Sequence, residues 1–524
     1  MKLKKLPLAI QNFAEIREGD YCYIDKTELI WKMVDSGKAY FLSRPRRFGK
    51  SLLVDTLKEL FEGNQTLFSG LYIEDKWSWS KNYPVMKFDF ADGVIESRAM
   101  LNIRIQKLLK ENQQRLGVTA SATDNDIPGF FRDVIVQARE KYGQKVVVLV
   151  DEYDKPILDN IDYPERAAEI REGLKNLYSV LKGQDAHLQF VFMTGVTKFS
   201  KVSLFSGLNQ LKDITLSAHY ATICGYTQKD LETIFAQHLQ GVDWAQLKEW
   251  YNGYQFLGEP VYNPYDILLF MSEDQSYRNY WFETGNPSFL IKLFQKKSYF
   301  LPDLEELEVS EEILDSFDIE RINPVTLLFQ SGYLTIKKVY TDILGELAFV
   351  LKVPNHEVKV ALHNQLIGGY CQIDTEKKAL RTELFKLLHQ GVIAELEPML
   401  RRLFAGIPWR NFTNNDLPNS EGYYASVLYA FFASLNATVI PEDITNRGQA
   451  DMTIMLGDFT YVMEIKLDKS TDYQVQTPNP ALQQIQDKAY AQKYLNQNKK
   501  VFEVGLIFNQ VQRNLVQLDW LSAT

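Results

Sequence analysis

Residues 44–51 read Arg44-Pro45-Arg46-Arg47-Phe48-Gly49-Lys50-Ser51, and they decide how the first part of the chain folds. A short apolar run, residues 40–43, precedes them, and an amphipathic run, residues 52–57, follows. Strand, turn and helix in this order are the context that a phosphate-binding loop requires. Because the backbone N–H groups of such a loop and of the helix N-terminus face a bound anion, the pattern predicts a phosphate site here.

The loop offers side chains as well as backbone donors. We expect Lys50 to reach the β- and γ-phosphates of ATP and the Ser51 hydroxyl to bind Mg²⁺. Arg44 stands where the first glycine of such a loop usually sits, which reduces backbone freedom and weakens the prediction. Arg46 and Arg47 could bind phosphate, and exposure on the surface fits them equally well. The candidate nucleotide-binding residues of the loop are Arg46, Arg47, Phe48, Gly49, Lys50 and Ser51.

A second apolar strand supplies the acidic half of the predicted site. Residues 145–150 are mostly β-branched, as in a strand that is buried on both faces, and they end in Asp151 and Glu152. We expect Asp151 to hold Mg²⁺, directly or through water, and Glu152 to act as the general base on the attacking water. A solvated acidic turn is the alternative, but both halves occur in the right order in one chain, which favours ATP hydrolysis.

Strands alternate with helices through this part of the chain. Residues 84–90 and 189–195 read as further strands, so we expect a parallel sheet covered by helices. Ligands of such sheets bind at the carboxyl ends of the strands. Thr194, Thr197 or Lys198 could therefore sense the γ-phosphate, and ordinary polar residues at a strand end explain them equally well.

Composition narrows the class of protein. The 524 residues suffice for about three or four domains. The formal net charge of -9 makes a broad basic nucleic-acid surface improbable, although a local basic groove stays open. The isolated cysteines, Cys22, Cys224 and Cys371, indicate a reducing compartment without a disulfide framework.

No stretch of the chain reads as a membrane anchor. The apolar run after the basic start is broken by Gln11 and Asn12, so we expect no signal peptide. The most apolar long stretch, residues 423–440, carries polar side chains and reads as a buried helix followed by a strand. We therefore expect a cytoplasmic protein that does not contact a membrane.

Several stretches match the motifs of one known family: residues 23–27 (YIDKT), 44–51 (RPRRFGKS), 150–156 (VDEYDKP), 250–254 (WYNGY), 262–265 (YNPY), 284–287 (TGNP) and 354–358 (PNHEV). They extend over most of the chain, which resembles the bacterial AAA-ATPase-like proteins that carry a C-terminal PD-(D/E)XK nuclease-type domain. Arg44 in place of glycine also matches the loop pattern of this family. It therefore no longer argues against nucleotide binding.

The resemblance implies an ATPase core, a helical lid and a C-terminal nuclease-like fold, and the pattern of residues 322–353 resembles a small winged-helix module, which together make an α/β fold with four parts. We expect a P-loop ATPase domain with a parallel sheet over residues 1–225, a helical lid over 226–295, a winged-helix-like module over 296–374 and a PD-(D/E)XK nuclease-like domain over 375–524. Aromatic residues at 250–256 could stack on bases, but packing in a core is favoured. Residues 322–353 read as a helix followed by a hairpin that turns at Gly345.

The C-terminal part contains a β-hairpin whose register can be counted. A two-residue Gly-Asp turn, residues 457–458, joins two apolar runs. Counting outward from this turn pairs Asp451 with Glu464 and Gln449 with Lys466. Because side chains alternate along a strand, all four then lie on one face of the hairpin.

The paired carboxylates predict a metal site. Cross-strand partners have Cβ atoms about 4.5–5.5 Å apart, where the like charges of Asp451 and Glu464 repel each other. Mg²⁺ or Mn²⁺ would remove the repulsion, because both metals accept carboxylate oxygens as ligands. Lys466 would orient or activate water and stabilise the charged transition state. An exposed polar face on an amphipathic hairpin is the alternative interpretation.

The Asp…Glu-x-Lys pattern is also the centre of the PD-(D/E)XK resemblance. Glu421 matches the helical acid of that family, and Gln484 matches its downstream glutamine. We therefore expect an ATPase coupled to metal-dependent cleavage of nucleic-acid phosphodiesters, with DNA favoured over RNA although no residue distinguishes them. The alternative is a nucleotide-controlled switch or scaffold whose C-terminal domain binds nucleic acid or protein without cleavage. Homo-oligomerisation is left open.

Overall fold

A computed structural model of the protein describes residues 3–122, 125–199, 210–281, 307–315, 322–371, 377–407, 420–435, 437–495 and 499–523. The motif at residues 284–287 lies outside these ranges. The chain divides into two compact units. The first comprises residues 1–284 and 308–358, and the second comprises residues 285–307 and 359–524. The predicted division into four parts stays a prediction.

The described helices are α1 (Phe13–Glu18), α2 (Thr27–Ser36), α3 (Lys50–Phe61), α4 (Arg98–Leu116), α5 (Ile127–Tyr142), α6 (Lys155–Leu158), α7 (Pro164–Gly183), α8 (Gln228–Ile234), α9 (Trp244–Tyr251), α10 (Pro264–Ser272), α11 (Glu311–Asp315), α12 (Pro324–Ser331), α13 (His356–Cys371), α14 (Lys377–Gln390), α15 (Leu396–Ala405), α16 (Glu421–Ala433) and α17 (Pro480–Lys488).

The described strands are β1 (Ala39–Ser43), β2 (Val85–Asp89), β3 (Val146–Asp151), β4 (Leu188–Gly195), β5 (Lys212–Asp213), β6 (Leu307–Ser310), β7 (Thr335–Thr341), β8 (Leu347–Lys352), β9 (Thr438–Thr445), β10 (Gly448–Leu456), β11 (Phe459–Asp468), β12 (Lys500–Asn509) and β13 (Asn514–Ser522).

The first unit contains a parallel sheet in the order β2-β3-β4-β1-β5. Strand β3 is buried along its whole length, as its β-branched residues predicted. Helices α3, α4 and α5 pack against the sheet. These features, with a separate mixed sheet in the second unit, confirm the predicted α/β fold.

The carboxyl ends of the parallel strands bring the predicted ATP-site residues to one edge of the sheet. Ser43 at the end of β1 pairs with Gly195 at the end of β4, and Asp151 ends the neighbouring strand β3. The phosphate loop leaves β1 at this edge, and α3 begins at Lys50. Gly49 has a φ of +88°, in the left-handed region that favours glycine, so the turn into α3 depends on it.

The 322–353 region forms the predicted helix and hairpin. Helix α12 is followed by the antiparallel strands β7 and β8, with Gly345 in the connecting turn at a φ of +84°. Among the aromatic residues near position 250, Tyr251, Tyr254 and Phe256 are buried, and Trp250 packs against the same core. The core interpretation of this cluster is therefore confirmed.

The second unit contains a mixed sheet in the order β13-β12-β11-β10-β9. Its central hairpin has the two-residue turn at residues 457–458 that the sequence predicted. The β10–β11 ladder runs from Leu456 opposite Phe459 to Met452 opposite Met463, which is the predicted register.

The predicted pairing is wrong at the end of this ladder. The β10–β11 ladder stops before Asp451 meets Glu464, and Gln449 pairs with β9 rather than with Lys466. The physical reason is a side-chain bond: the Asp451 carboxylate accepts the N–H of Ile465 at 2.7 Å, in place of the next ladder contact. Asp451 still reaches β11, but through its side chain.

Among the helices in the described part of the chain, none combines the length and the apolar composition that a membrane crossing requires.

Candidate functional site

A cavity of about 570 Å³ opens at the phosphate loop of the first unit. Its polar wall includes Glu152 and Asp154 from the segment after β3. Its apolar wall includes Ile10 and Ile24 from the N-terminal segment, together with Tyr226. The loop residues that line it are Arg46, Arg47, Phe48, Gly49, Lys50 and Ser51. Ile24 belongs to the YIDKT motif at residues 23–27, whereas no sequence pattern pointed to Ile10, because a cavity wall formed by distant residues has no local signature.

Lys50 holds a buried positive charge inside the loop. Its Nζ donates to the backbone oxygens of Arg44 and Pro45, at 3.0 Å each. Burial lowers the pKa of Lys50, while the carboxyl groups of Asp151 and Asp154 act to raise it. The ammonium group therefore lies between the loop carbonyls and two acids, at the wall of the cavity.

Asp151 and Ser51 meet as the predicted Mg²⁺ ligands. The Ser51 hydroxyl donates to the Asp151 carboxylate, and burial raises the pKa of this acid. A carboxylate next to a hydroxyl is an all-oxygen donor set, which suits Mg²⁺. The residues present therefore fit the ion.

Glu152 lines the cavity directly after Asp151. It has a φ of +48°, a left-handed conformation that is uncommon for a residue with a side chain. Burial and the negative charge of Asp151 raise the pKa of Glu152. A carboxylate with a raised pKa is a better base towards water, which fits the predicted role.

The three candidate γ-phosphate sensors have protein partners. The Thr194 hydroxyl donates to the Leu42 backbone oxygen at 2.8 Å, and the Thr197 hydroxyl donates to Asp154 at 2.7 Å. Lys198 forms an ion pair of 2.5 Å with Asp213. None of the three is among the described residues that line the cavity. Contacts of this kind are typical of ordinary polar residues at the end of a strand.

Arg44 has a structural position that the sequence did not predict. It is 1% exposed, and its guanidinium donates to the backbone oxygens of Ser43, Thr215 and Tyr220. The same group lies 3.9 Å from the ring centre of Phe256. Burial lowers the pKa of Arg44 to about 10, so it stays charged at neutral pH. Arg44 therefore anchors the start of the loop.

Phe48 anchors the loop from its other side. It is buried, with its ring 4.8 Å from that of Tyr254 in an edge-to-face contact. Arg46 is exposed, and Arg47 is half-buried against the ring of Tyr265 at 3.9 Å. The loop is therefore held by aromatic residues from the region that the sequence predicted as a lid.

In the second unit, Glu464 is the buried centre of the predicted nuclease-type site. Its Oε1 accepts from Lys466 Nζ at 3.0 Å and from the Gln484 amide. Its Oε2 is buried and has no hydrogen-bond partner in the described part of the chain. Burial, and then the charge of Asp451, raise the pKa of Glu464 to about 7.

Asp451 and Glu421 complete the group. Asp451 is half-buried, and burial raises the pKa of its carboxyl group. Glu421 lies in the first turn of α16 and accepts the N–H of Leu467 at 3.0 Å. The structure thus brings the five predicted residues of this site together around one end of the hairpin: Glu421, Asp451, Glu464, Lys466 and Gln484.

The donors around Glu464 fit a divalent metal ion. A buried carboxylate oxygen without a donor is stabilised by a bound cation, and Mg²⁺ or Mn²⁺ accepts carboxylate oxygens. Within the described residues, no three His, Cys, Asp or Glu side chains form a set that could hold a metal by themselves. A metal here would therefore use Asp451, Glu464 and several waters, which suits Mg²⁺ because it keeps part of its hydration shell.

Fold and site geometry define a P-loop protein with a nuclease-like C-terminal domain, and comparison with known proteins identifies its family. The family model described as a predicted AAA-ATPase matches residues 7–205, and that of the PD-(D/E)XK nuclease superfamily matches residues 419–518. The chain belongs to the AAA-ATPase-like proteins that carry a PD-(D/E)XK nuclease superfamily domain.

A relative from Azotobacter chroococcum mcd 1 extends this likeness over almost the full chain. It is described as an uncharacterized protein in the vnfD 5′ region, and it is 44% identical over 517 residues, which cover 98% of this chain and 98% of the relative. No solved structure matches the chain.

Proposed function

We propose that the protein binds and hydrolyses ATP and that its C-terminal domain cleaves nucleic-acid phosphodiesters with the help of Mg²⁺ or Mn²⁺. The observation that carries the nuclease half is the buried, unpartnered Oε2 of Glu464 beside Asp451. Two acids in one buried place are unfavourable without a cation, and an acid pair flanked by a lysine suits phosphodiester hydrolysis.

At the ATP site, Lys50 binds the β- and γ-phosphates, and Ser51 and Asp151 hold the Mg²⁺ that accompanies the nucleotide. Glu152 takes a proton from the attacking water. Its raised pKa supports this role, because the carboxylate then has more affinity for the proton. Arg46 and Arg47 add positive charge near the phosphates.

At the hairpin site, Asp451 and Glu464 would hold the divalent ion, which supplies charge neutralisation and a more acidic water. Lys466 orients the attacking water and stabilises the developing negative charge on the phosphate. Gln484 fixes the Glu464 carboxylate through its amide, and Glu421 contributes a further acid at the edge of the site.

A cleavage assay with Mg²⁺ or Mn²⁺ tests this proposal. Single- and double-stranded DNA and RNA are incubated with the full chain, with and without ATP, and the same substrates are incubated with Lys466→Ala. Metal-dependent cleavage by the wild type that Lys466→Ala loses would support the nuclease. Nucleotide binding without cleavage of any substrate would favour the alternative, a nucleotide-controlled switch or scaffold.

A further inference from the structure

A buried carboxyl pair lies behind the phosphate loop in the first unit. Asp266 in α10 is 1% exposed, and Glu357 in the first turn of α13 is fully buried. Glu357 Oε1 accepts the backbone N–H groups of Tyr280 and Trp281, at 2.5 and 2.8 Å. These contacts fix the Glu357 side chain against the segment that follows α10.

The two carboxyl groups face each other. Each lies within hydrogen-bonding reach of the other. When both are ionised, neither Asp266 oxygen nor Glu357 Oε2 has a donor in the described chain. A bond between them therefore requires one shared proton. Burial raises the pKa of Asp266 well above its usual range and that of Glu357 to about 7, so Asp266 keeps its proton and the negative charge of the pair develops as Glu357 ionises.

Arg47 supplies positive charge near this pair. Its positive charge lowers the pKa of both acids, against the effect of burial. Its guanidinium lies 3.9 Å from the ring centre of Tyr265, the residue next to Asp266. Its Nη1 donates to the backbone oxygen of Tyr280 at 3.2 Å, and Glu357 holds the N–H of the same residue. One short segment thus joins the loop arginine to the carboxyl pair.

Arg47 also lines the cavity, together with Lys50. Two anionic groups can therefore lie near the Arg47 side chain. One is the carboxyl pair, and the other is a nucleotide phosphate in the cavity. A single guanidinium that moves towards one anion weakens its attraction to the other. The two anions then compete for Arg47.

We propose that Asp266 and Glu357 form a latch that holds Arg47, and that the phosphates of a bound nucleoside triphosphate draw Arg47 away from it. This inference rests on the proposed ATP binding. The boundary between the two units falls within α13, after Val358, so Glu357 belongs to the turn that begins the segment leading into the second unit. When a triphosphate binds and draws the Arg47 side chain away, the start of this segment loses the positive charge that balances Glu357.

The test measures the affinity of the full chain for a slowly hydrolysed ATP analogue with Mg²⁺. Glu357→Gln removes the negative charge of the pair but keeps its shape, whereas Asp266→Asn replaces the protonated partner by a neutral amide and leaves the charge on Glu357. In Glu357→Gln, the amide oxygen of the new side chain can still accept the N–H groups of Tyr280 and Trp281. We expect Glu357→Gln to bind the analogue roughly five- to tenfold more tightly than the wild type, because Arg47 is released to the phosphates. Asp266→Asn is the matched control and should bind it about as tightly as the wild type.

The same substitutions in an Arg47→Ala background separate the latch from a structural role. There we expect no tightening, because no guanidinium remains to be released. A structural role would weaken binding whether or not Arg47 is present. The melting temperature of each variant checks that it folds, and if Glu357→Gln does not fold, the double variant Asp266→Asn/Glu357→Gln, which also lacks the charge, provides the test.

Unchanged or weaker binding by a folded variant that lacks the Glu357 carboxylate and retains Arg47 would overturn the latch while ATP binding stands. Equal tightening with and without Arg47 would also overturn it. If the wild type does not bind the analogue, the proposed function fails and the latch fails with it, a result that differs visibly from the other two.

Discussion

The site at the phosphate loop and the site at the C-terminal hairpin both take acids from the strands of a sheet, but the protein satisfies these acids differently in the two sites. In the loop site, Asp151 accepts from the Ser51 hydroxyl and from the Glu152 N–H, and Asp154 accepts from two backbone N–H groups and a hydroxyl. In the hairpin site, Glu464 Oε2 has no donor in the described chain. The first site is therefore held in shape by protein contacts, whereas the second leaves one buried carboxylate oxygen without a donor in the described chain, although Lys466 pairs with the other oxygen.

The unpartnered carboxylate oxygen of Glu464 has a thermodynamic consequence. When the polar groups of a site already have hydrogen-bond partners, a metal ion that binds without nucleotide adds little to the free energy of unfolding. A site with an unpartnered buried carboxylate gains stability from any cation that binds only the folded form. Metal ions alone should therefore stabilise the second unit more than the first.

We expect the largest effect from a substitution of Lys50 in the phosphate loop. Lys50→Ala removes the buried cation that faces the phosphates, so we expect ATP affinity to fall roughly 10³-fold, or about 4 kcal/mol. Isothermal titration calorimetry measures it. Lys58→Ala is the matched control, because Lys58 lies on the same helix but pairs with Glu59 and Glu62. An affinity of Lys50→Ala within tenfold of the wild type would contradict the role of this lysine.

The next effect separates binding from hydrolysis. Glu152→Gln loses the base but keeps the shape of the side chain, so we expect turnover to fall roughly 10²-fold or more with nearly unchanged ATP affinity. Steady-state phosphate release and equilibrium binding give the two quantities. Equal turnover by wild type and variant would remove Glu152 from the mechanism.

A substitution of Lys466 separates metal binding from cleavage at the hairpin site. It donates to Glu464 Oε1 and leaves Oε2 untouched. We therefore expect Lys466→Ala to keep metal binding while losing roughly 10²-fold in cleavage rate. Cleavage kinetics at saturating Mn²⁺ check the rate, and Mn²⁺ titration checks binding. Loss of metal binding would mean that Lys466 shapes the site rather than acts on the substrate.

A smaller effect concerns pH and the carboxyl pair of the first unit. Burial raises the pKa of Glu357 to about 7, with Asp266, Arg47, Tyr251 and Tyr254 as the other titratable groups near it. Between the ordinary glutamate pKa and this value, the folded state binds more protons than the unfolded state. The free energy of unfolding therefore falls as pH rises through this window, by on the order of 1–3 kcal/mol.

Urea denaturation of the full chain at several pH values between about 5 and 8 measures this dependence. Glu357→Gln cannot ionise and should give a flatter profile. A variant profile as steep as that of the wild type would assign the dependence to other groups.

The sequence predicted the parts of the structure that depend on local patterns. The β-branched run of β3 indicated a buried strand, and the two-residue turn predicted the hairpin register as far as Met452 opposite Met463. The end of the ladder was missed, because there the Asp451 carboxylate accepts a backbone N–H rather than facing Glu464. Competition of this kind leaves no periodic signal.

Features that join distant segments were also missed. In the sequence, Arg44 looked like a departure from the usual pattern of a phosphate-binding loop. In the structure it is buried against Thr215, Tyr220 and Phe256, and a single sequence gives no sign that these distant residues contact it. The contacts of Arg47 were missed for the same reason, because its partners Tyr265 and Tyr280 lie far from it along the chain. Chemistry-bearing residues could be found from sequence, whereas their supporting contacts required the structure.

Thermal melting of the full chain against Mn²⁺ concentration tests whether the carboxylates of the hairpin bind a metal ion. Lys50→Ala and Asp151→Ala are introduced first, so that the loop site cannot contribute. In this background we expect Mn²⁺ to raise the melting temperature, with a stabilisation of about 2.7 kcal/mol at a concentration 100 times the dissociation constant.

Two further substitutions in the same background decide the origin of the shift. Asp451→Asn removes a charged ligand and should abolish the shift while leaving the metal-free protein equally or more stable. Asp458→Asn, at the exposed hairpin turn, is the matched control and should keep the shift. A full Mn²⁺ shift in the Asp451→Asn variant would contradict the account, because the carboxylates of the hairpin would then not be a metal site.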